Sequence, residues 1–459
     1  MKKILLINPS EEETSSPHLG TAYIASYLES KGYQPKIFDR TFSTWDNLRS
    51  NLDNEKPDIV GIACNTLLMQ HALEAAKIVK SYSKDITIVF GGTHPTIKPE
   101  EVVRHENVDL AVIGEGEVTF HEIVQDKPLR DIDGIAYLDG NEVIINKRRA
   151  YIEDIDTIPL PARHLIPMKS YLNSKKGRTS WALPTPATTM MCSRGCPFHC
   201  TFCSSNLIFG RKVRFRSPEN VVSELEILKN KYNLKGIQFH DDTMTLNKKW
   251  LIRLCDLMIE KELNLEWFCN ARVGTVDKEI LQKIEQAGCT TITFGVESGN
   301  QRVLDNIIKK GITIDAIEKT FKEVRESTNL MLHATFMLGS PGETKEEIEQ
   351  TISFAKKINP DVAHFAITIP FPGTELFDMA PKHGKLTFDS WSDFHFFRNA
   401  VFESNEFDLD YIRKTLRRAY TSFYLRPGYF FNQIRSTKSF AQLRRKLKGT
   451  RLLRNVLQT

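Results

Sequence analysis

Three cysteines within eight residues, in Cys196-Pro197-Phe198-His199-Cys200-Thr201-Phe202-Cys203, constrain this chain more than any other feature. Three and two residues separate them, and an aromatic stands just before the last. Three thiolates hold three irons of a four-iron cubane and leave the fourth open to a small molecule. A structural zinc site is instead built from paired Cys-x-x-Cys units and closed by a fourth ligand. His199 is available for that place, but it sits inside the loop and is expected to point away. A second frame, Cys192, Cys196 and Cys200, lacks the final two-residue gap, and Cys192 reads as the end of a buried strand.

The other cysteines do not complete a disulfide framework. Cys64, Cys255, Cys269 and Cys289 are scattered among apolar neighbours and read as buried free thiols, which fits a reducing cytoplasm. No apolar run reaches the roughly 18 residues a membrane span needs. Met1 to Pro9 is too short in its apolar part for a signal peptide and reads as a first strand. The net charge of +5 hides an asymmetry: residues 411–459 hold 13 Lys or Arg and no acid, and the other 410 residues carry −8.

From 1 to 125 short apolar runs alternate with helical patterns. Strands are expected at 4–7, 36–38, 58–63, 87–90 and 110–113, with helices at 20–31 and 69–81. That alternation predicts a parallel, doubly wound (Rossmann-like) α/β sheet, which binds ligands at the carboxyl ends of its strands. The punctuation falls at those ends: Asn65-Thr66, Gly91-Gly92-Thr93-His94-Pro95 and Gly114-Glu115-Gly116-Glu117. Taken singly, these glycines need do no more than turn the chain.

Residues 126–187 read as a connector, a hairpin over 134–144 followed by five prolines that stiffen an extended bridge. From 188 to 390 about six strand–helix units predict a partial (β/α)6, TIM-like barrel. Its strands end in polar residues: Asp241-Asp242, Arg272, Glu297-Ser298 and Gly339. Ordinary alternatives stand beside them: the aspartates as helix caps, Glu297 in a salt bridge, Arg272 paired with Glu297, Gly339 in a turn. Residues 391–459 are expected to be mainly helical and basic, with Trp391, Phe394, Phe396 and Phe397 packed on the barrel mouth or lining a substrate cavity.

The cysteine motif, with Phe202 before Cys203, resembles the CxxxCxΦC signature of the radical S-adenosylmethionine (SAM) superfamily. Pro17-His18-Leu19-Gly20, the Gly-Gly-x-His-Pro stretch and Gly114-Glu115-Gly116-Glu117 resemble the cobalamin (B12)-binding domain that precedes many radical SAM domains. The resemblance spans nearly the whole chain and implies a cobalamin-dependent radical SAM enzyme with a [4Fe-4S] cluster, SAM and cobalamin as cofactors. It implies that Cys196, Cys200 and Cys203 ligate the cluster and that Phe202 packs on adenine. Asp241, Asp242, Arg272, Glu297, Ser298 and Gly339 would then contact SAM. Thr66, Gly91, Gly92, His94, Gly114 and Glu115 would line the cobalamin site. A histidine-supplying domain carries Asp-x-His-x-x-Gly, which is absent here. Cobalamin is therefore expected without a histidine from that motif, with His94 positioning its loop.

The implied reaction is reductive cleavage of SAM to a 5′-deoxyadenosyl radical, then modification of an unactivated carbon, in the commonest version by methyl transfer through cobalamin. A cyclase or oxidation without net methylation, as in the anaerobic tetrapyrrole cyclases, uses the same architecture. RNA methylthiolation needs three further cysteines in the first domain, where only Cys64 stands. A non-enzymatic metal-binding protein would hold zinc and leave SAM intact. Expected partners are a small-molecule or lipid-like substrate and an electron donor of flavodoxin or ferredoxin type. The basic C-terminal region reads either as a solvated helix face docking on the acidic remainder of the chain or as a surface for peripheral membrane contact, while nucleic acid is not an expected partner.

Overall fold

The computed structural model describes residues 2–11, 16–174, 176, 182–394, 400–429 and 433. Its first sheet holds β1 (Ile4–Asn8), β2 (Lys36–Asp39), β3 (Ile59–Ala63), β4 (Thr87–Gly91) and β5 (Leu110–Val112). These five run parallel in the order β2-β1-β3-β4-β5. Every residue of β1 and β3 is buried, because helices cover both faces. Leu19–Ser30 and Glu117–Val124 lie on one face and Met69–Tyr82 on the other. The helix Trp45–Glu55 was not expected from the sequence. It buries only Leu48 and Leu52, one turn apart, so its apolar signal is thin.

The hairpin β6 (Ile135–Asp139) and β7 (Glu142–Ile145) extends this sheet rather than bridging away from it. β6 pairs antiparallel with β5, and β7 closes the edge. The prolines that follow carry the chain to the second sheet, and polar contacts anchor it on both sides. Tyr171 donates to Asp39 (2.6 Å), and Asp156 accepts from the backbone N–H of Ser217 (3.0 Å).

The second sheet is β8 (Ala187–Met190), then, beyond the short ribbon β9 (Ser193–Arg194) and β10 (Arg214–Phe215), β11 (Gly236–Phe239), β12 (Glu266–Ala271), β13 (Cys289–Glu297), β14 (Met331–Leu338) and β15 (Val362–Ile367). The six long strands are parallel in the order β8-β11-β12-β13-β14-β15, and β8 and β15 do not pair. This is the expected open (β/α)6 barrel. Ser217 caps the helix Pro218–Tyr232 by accepting from Asn220 N–H (3.2 Å), with proline at the first turn. A final ribbon, β16 (Gly384–Leu386) with β17 (Phe402–Ser404), precedes the helix Leu409–Tyr424, which packs on β15. Most of the basic tail, Phe396 and Phe397 lie outside the described residues.

Buried charges tie the first domain and the connector to the barrel. Arg194 donates to Glu115 (2.9 Å) and Glu117 (2.6 Å), and Arg214 donates to Glu115 (2.9 Å). Arg163 and Arg216 converge on Glu224 at 3.0 and 2.6 Å. Each of these carboxylates answers a buried guanidinium, which is the condition for burying charge at all.

Candidate active site between the two sheets

The cysteine loop leaves the barrel after β8. Asp241, at the end of β11, reaches under it and accepts from Cys192 N–H (3.1 Å) and the Ser193 hydroxyl. Gly195 has φ +97°, and a Cβ there would meet Lys212 O at 2.4 Å, so only glycine makes the turn into Cys196. The loop is pinned at its centre: Thr201 N–H donates to Ile308 O (3.0 Å) and its hydroxyl to Ile307 O (2.7 Å). Cys196, Cys200 and Cys203 are free and half-buried, whereas the other five cysteines are fully buried. Cys192 belongs to that buried group, and His199 points to solvent.

Burial pushes the Cys196 thiol upward and the Cys203 thiol to about 11, so metal must displace their protons. Among the described residues, no three His, Cys, Asp or Glu side chains converge as ligands of one ion. Thiolates at three corners of a cubane stand further apart than the ligands of one ion. With His199 turned outward, the donor set fits a cluster with one open iron and not a closed zinc site.

The strand-end acids divide in a way the sequence does not disclose. Asp241 is buried beneath the loop, where desolvation raises its carboxyl to about 6, and it holds the chain rather than facing the mouth. Asp242 is exposed, accepts from the Ser205 hydroxyl, and is the acid of the pair left free to meet a ligand. Glu297 has φ +65°, a costly conformation for a non-glycine residue. Its carboxylate accepts from Lys310 Nζ (2.8 Å) and from the Thr335 hydroxyl (3.3 Å). Gly295 makes that pair possible: a Cβ there would lie 2.2 Å from Glu297 Oε1 and 2.7 Å from Lys310 Nζ. Lys310 was missed in the sequence. It sits in a loop beyond β13 with no motif around it, and only folding sets its ammonium 5.6 Å from the Phe202 ring centroid.

Two expected contacts turn elsewhere. Ser298 is fully buried and shares its hydroxyl with Thr351 (3.1 Å), because the chain bends away from the mouth after Glu297. Gly339 has φ +80° and would press a Cβ within 2.7 Å of Ile412 Cδ1, so it admits the C-terminal helix. Arg272 does not pair with Glu297, whose carboxylate Lys310 has taken; it lies against Cys200.

Just past Gly339, Glu343 Oε2 accepts from the N–H groups of Gly339 and Ser340, both at 2.8 Å. Its Oε1 is buried without a hydrogen-bond partner among the described residues, and burial pushes the carboxyl up to about 8. The folded group thus binds its proton more tightly than the unfolded one. Its contribution to stability is complete below the ordinary glutamate range and is lost as pH rises through about 8. Glu343→Gln keeps the acceptor and removes the charge. Thermal melts of the apo protein from pH 5 to 9 are expected to show a smaller alkaline loss in the variant than in the wild type; parallel curves would refute the assignment.

On the other side, the first sheet presents the carboxyl ends of β3, β4 and β5. A cavity of about 220 Å³ runs between the sheet and the helices Leu19–Ser30 and Glu117–Val124. Gly61, Gly91, Gly92, Gly114 and Gly116 line it together with Leu6, Ile24 and Phe120. Gly92 has φ +116°, and a Cβ there would meet Cys64 O at 2.7 Å. The cavity is largely apolar and floored by glycine, which suits the aromatic base and ribose at the end of a cobalamin tail.

Glu115 lines its rim, but Arg194, Arg214 and the N–H of Ile152 occupy its carboxylate, so it braces the domains. His94 is fully buried, with Nδ1 3.2 Å from the Thr66 hydroxyl, Nε2 3.7 Å from Glu101 and Trp391 across its face. It fixes the loop and does not face the cavity.

A second cavity, about 440 Å³, lies where the sheets face each other. Asn65, Thr66, Leu67 and Thr93 enter from the first domain; Phe202, Cys203, Glu297, Thr335 and Thr368 enter from the barrel. Met337, Ile367, Ile369 and Phe371 complete a mostly apolar wall, backed by Trp391 and Phe394.

Residues 190–355 match the radical SAM superfamily, and residues 12–124 match the B12 binding domain. An uncharacterized methyltransferase of Pyrococcus horikoshii is 36% identical over 98% of this chain and 98% of its own. The anaerobic magnesium-protoporphyrin IX monomethyl ester cyclase of Rubrivivax gelatinosus is 30% identical over 82% of this chain and 69% of its own. Among solved structures, the radical SAM methyltransferase TsrM from Kitasatospora setae, with cobalamin and a [4Fe-4S] cluster bound, has a TM-score of 0.76. That match covers 100% of both chains at 16% identity, a likeness of fold.

Proposed function

This chain belongs to the radical SAM enzymes that carry a B12-binding domain, and on that footing we propose that it methylates an unactivated carbon of an apolar substrate. The family's cofactors are a [4Fe-4S] cluster, SAM and cobalamin. Bound together, they supply a carbon-centred radical from SAM and a transferable methyl group. One observation carries the reading: Cys203 and Phe202 share a single cavity with Thr66, Leu67 and Thr93 of the B12-binding domain.

Cys196, Cys200 and Cys203 are the cluster ligands in this reading. Phe202, Asp242 and the Glu297–Lys310–Thr335 group hold SAM beside the loop, Glu297 accepting from hydroxyls and Asp242 from the amino group. Thr66, Gly91, Gly92 and Gly114 receive cobalamin, whose tail enters the glycine-floored cavity. No histidine, cysteine or carboxylate faces the mouth from Asn65, Thr66, Leu67 or Thr93, so none of these four residues supplies an imidazole to cobalt. The apolar wall from Met337 to Phe371 excludes water from a reactive intermediate and selects an apolar substrate.

Enzymes of this family usually draw on an external electron donor, here one of flavodoxin or ferredoxin type. No helix among the described residues is long and apolar enough to cross a membrane. The lipid-like substrate and peripheral membrane contact belong to the same proposal, supported by the apolar cavity and the basic composition of the tail.

The 30% identity to the cyclase favours one second reading, oxidation or ring closure without methyl transfer. Products separate the two. Reconstituted protein given SAM labelled in its methyl group, with reductant, is expected to form S-adenosylhomocysteine as well as 5′-deoxyadenosine. 5′-Deoxyadenosine without S-adenosylhomocysteine would overturn methylation in favour of the cyclase type.

A further inference from the structure

Arg272 follows the last residue of β12 and is 8% exposed. Its guanidinium stacks on the ring of Phe198, inside the cysteine loop, with Cζ 3.6 Å from the ring centroid. Nη1 stands 3.8 Å from Cys200 Sγ and is oriented to donate to it. Among the described residues every other fully buried arginine has a carboxylate: Arg163, Arg194, Arg214 and Arg216 all do. Among the described residues Arg272 has none, and Glu297, at the end of the next strand, is held by Lys310. A buried, unanswered guanidinium is costly, and the planar fork of arginine, locked by an aromatic face, is suited to a fixed anionic acceptor.

We infer that Arg272 is a positioning residue for the iron–sulfur cluster itself, donating to the Cys200 thiolate and setting the cluster's reduction potential. The inference rests on the cluster assignment made above. A cation and a hydrogen bond at a ligating sulfur favour the form carrying the extra electron, so they raise the potential. Phe198 serves the same end by holding the guanidinium flat against the loop. This role differs from contact with the carboxylate of SAM, because it acts when SAM is absent.

The test is a redox titration of the reconstituted full chain without SAM, followed by the electron paramagnetic resonance signal of the reduced cluster. Arg272→Gln is expected to keep its iron and to move the midpoint to a more negative potential. The one-electron reduction constant should fall at least about tenfold, which is about 59 mV. Arg272→Lys, which keeps the charge without the fork, is expected to shift less. Phe198→Leu leaves the arginine in place but unstacked, and is expected to shift in the same direction with full iron content; it serves where the Arg272 variants fold poorly. An unchanged midpoint at full iron content overturns the inference. So does an unchanged midpoint with weakened SAM binding, which would assign Arg272 to the SAM carboxylate. A wild-type chain that assembles no cluster refutes the cluster assignment and removes the inference with it.

Discussion

Cys200→Ala abolishes 5′-deoxyadenosine formation. Cys200 is the middle thiol of the loop, the one Arg272 faces, and its carbonyl accepts from Cys203 N–H at 3.2 Å. Alanine removes one of three corners that a cubane needs while leaving the backbone hydrogen bond in place. His199 faces solvent and cannot take over, and the five remaining cysteines are fully buried elsewhere. Circular dichroism and the melting temperature of the apo variant should match the wild type, because a half-buried thiol carries little packing. Iron content after reconstitution should fall below a full cluster, and SAM should remain uncleaved. Retained cleavage would contradict the cluster assignment outright.

Gly91→Leu is the second large effect, on cobalamin rather than on the cluster. Gly91 ends β4 and lines the cavity beneath the first sheet's helices. It differs from Gly92 in a useful way. At Gly92 a side chain meets backbone at 2.7 Å with φ +116°, so a loss of binding there would be confounded by a strained fold. At Gly91 the φ is ordinary, and a Cβ meets only Val112 at 3.9 Å. A leucine there occupies the space the nucleotide tail needs and strains little else. Overpacking of this kind costs about 1–3 kcal/mol, or roughly five- to 150-fold in affinity. Bound cobalamin, read from its visible absorption after gel filtration, should drop accordingly while iron content is retained. Unchanged cobalamin would place the tail elsewhere.

Strand ends and motif spacing carried most of the architecture. The alternation of apolar runs in 1–125 and the polar residues closing each later run correspond to the two observed sheets. What the sequence could not disclose was which neighbour each strand-end residue would meet. Asp241 and Asp242 are adjacent in the chain, yet one is buried under Cys192 and the other opens to solvent, a difference of one residue's rotation at the end of β11. Glu115 looked like a ligand residue because it stands between two glycines; Arg194 and Arg214, about 80 and 100 residues away, claim its carboxylate. Lys310 has no local signature, and its pairing with Glu297 depends on a glycine fifteen residues earlier. The hairpin at Ile135–Ile145 was visible as a hairpin, but its pairing with β5 is a long-range choice of register. The helix Trp45–Glu55 escaped because two buried leucines among eleven mostly polar residues leave almost no apolar stripe.

The decisive measurement is one anaerobic reconstitution with iron, sulfide and hydroxocobalamin, followed by incubation with SAM and a strong reductant. Iron, sulfide, bound cobalamin and 5′-deoxyadenosine are then counted in the same sample. The cavity shared by the cysteine loop and the B12-binding domain predicts one [4Fe-4S] cluster and one cobalamin per chain, with SAM cleaved to 5′-deoxyadenosine. A chain that assembles the cluster and cleaves SAM but binds no cobalamin would contradict the shared site and leave the first domain without the role given to it here.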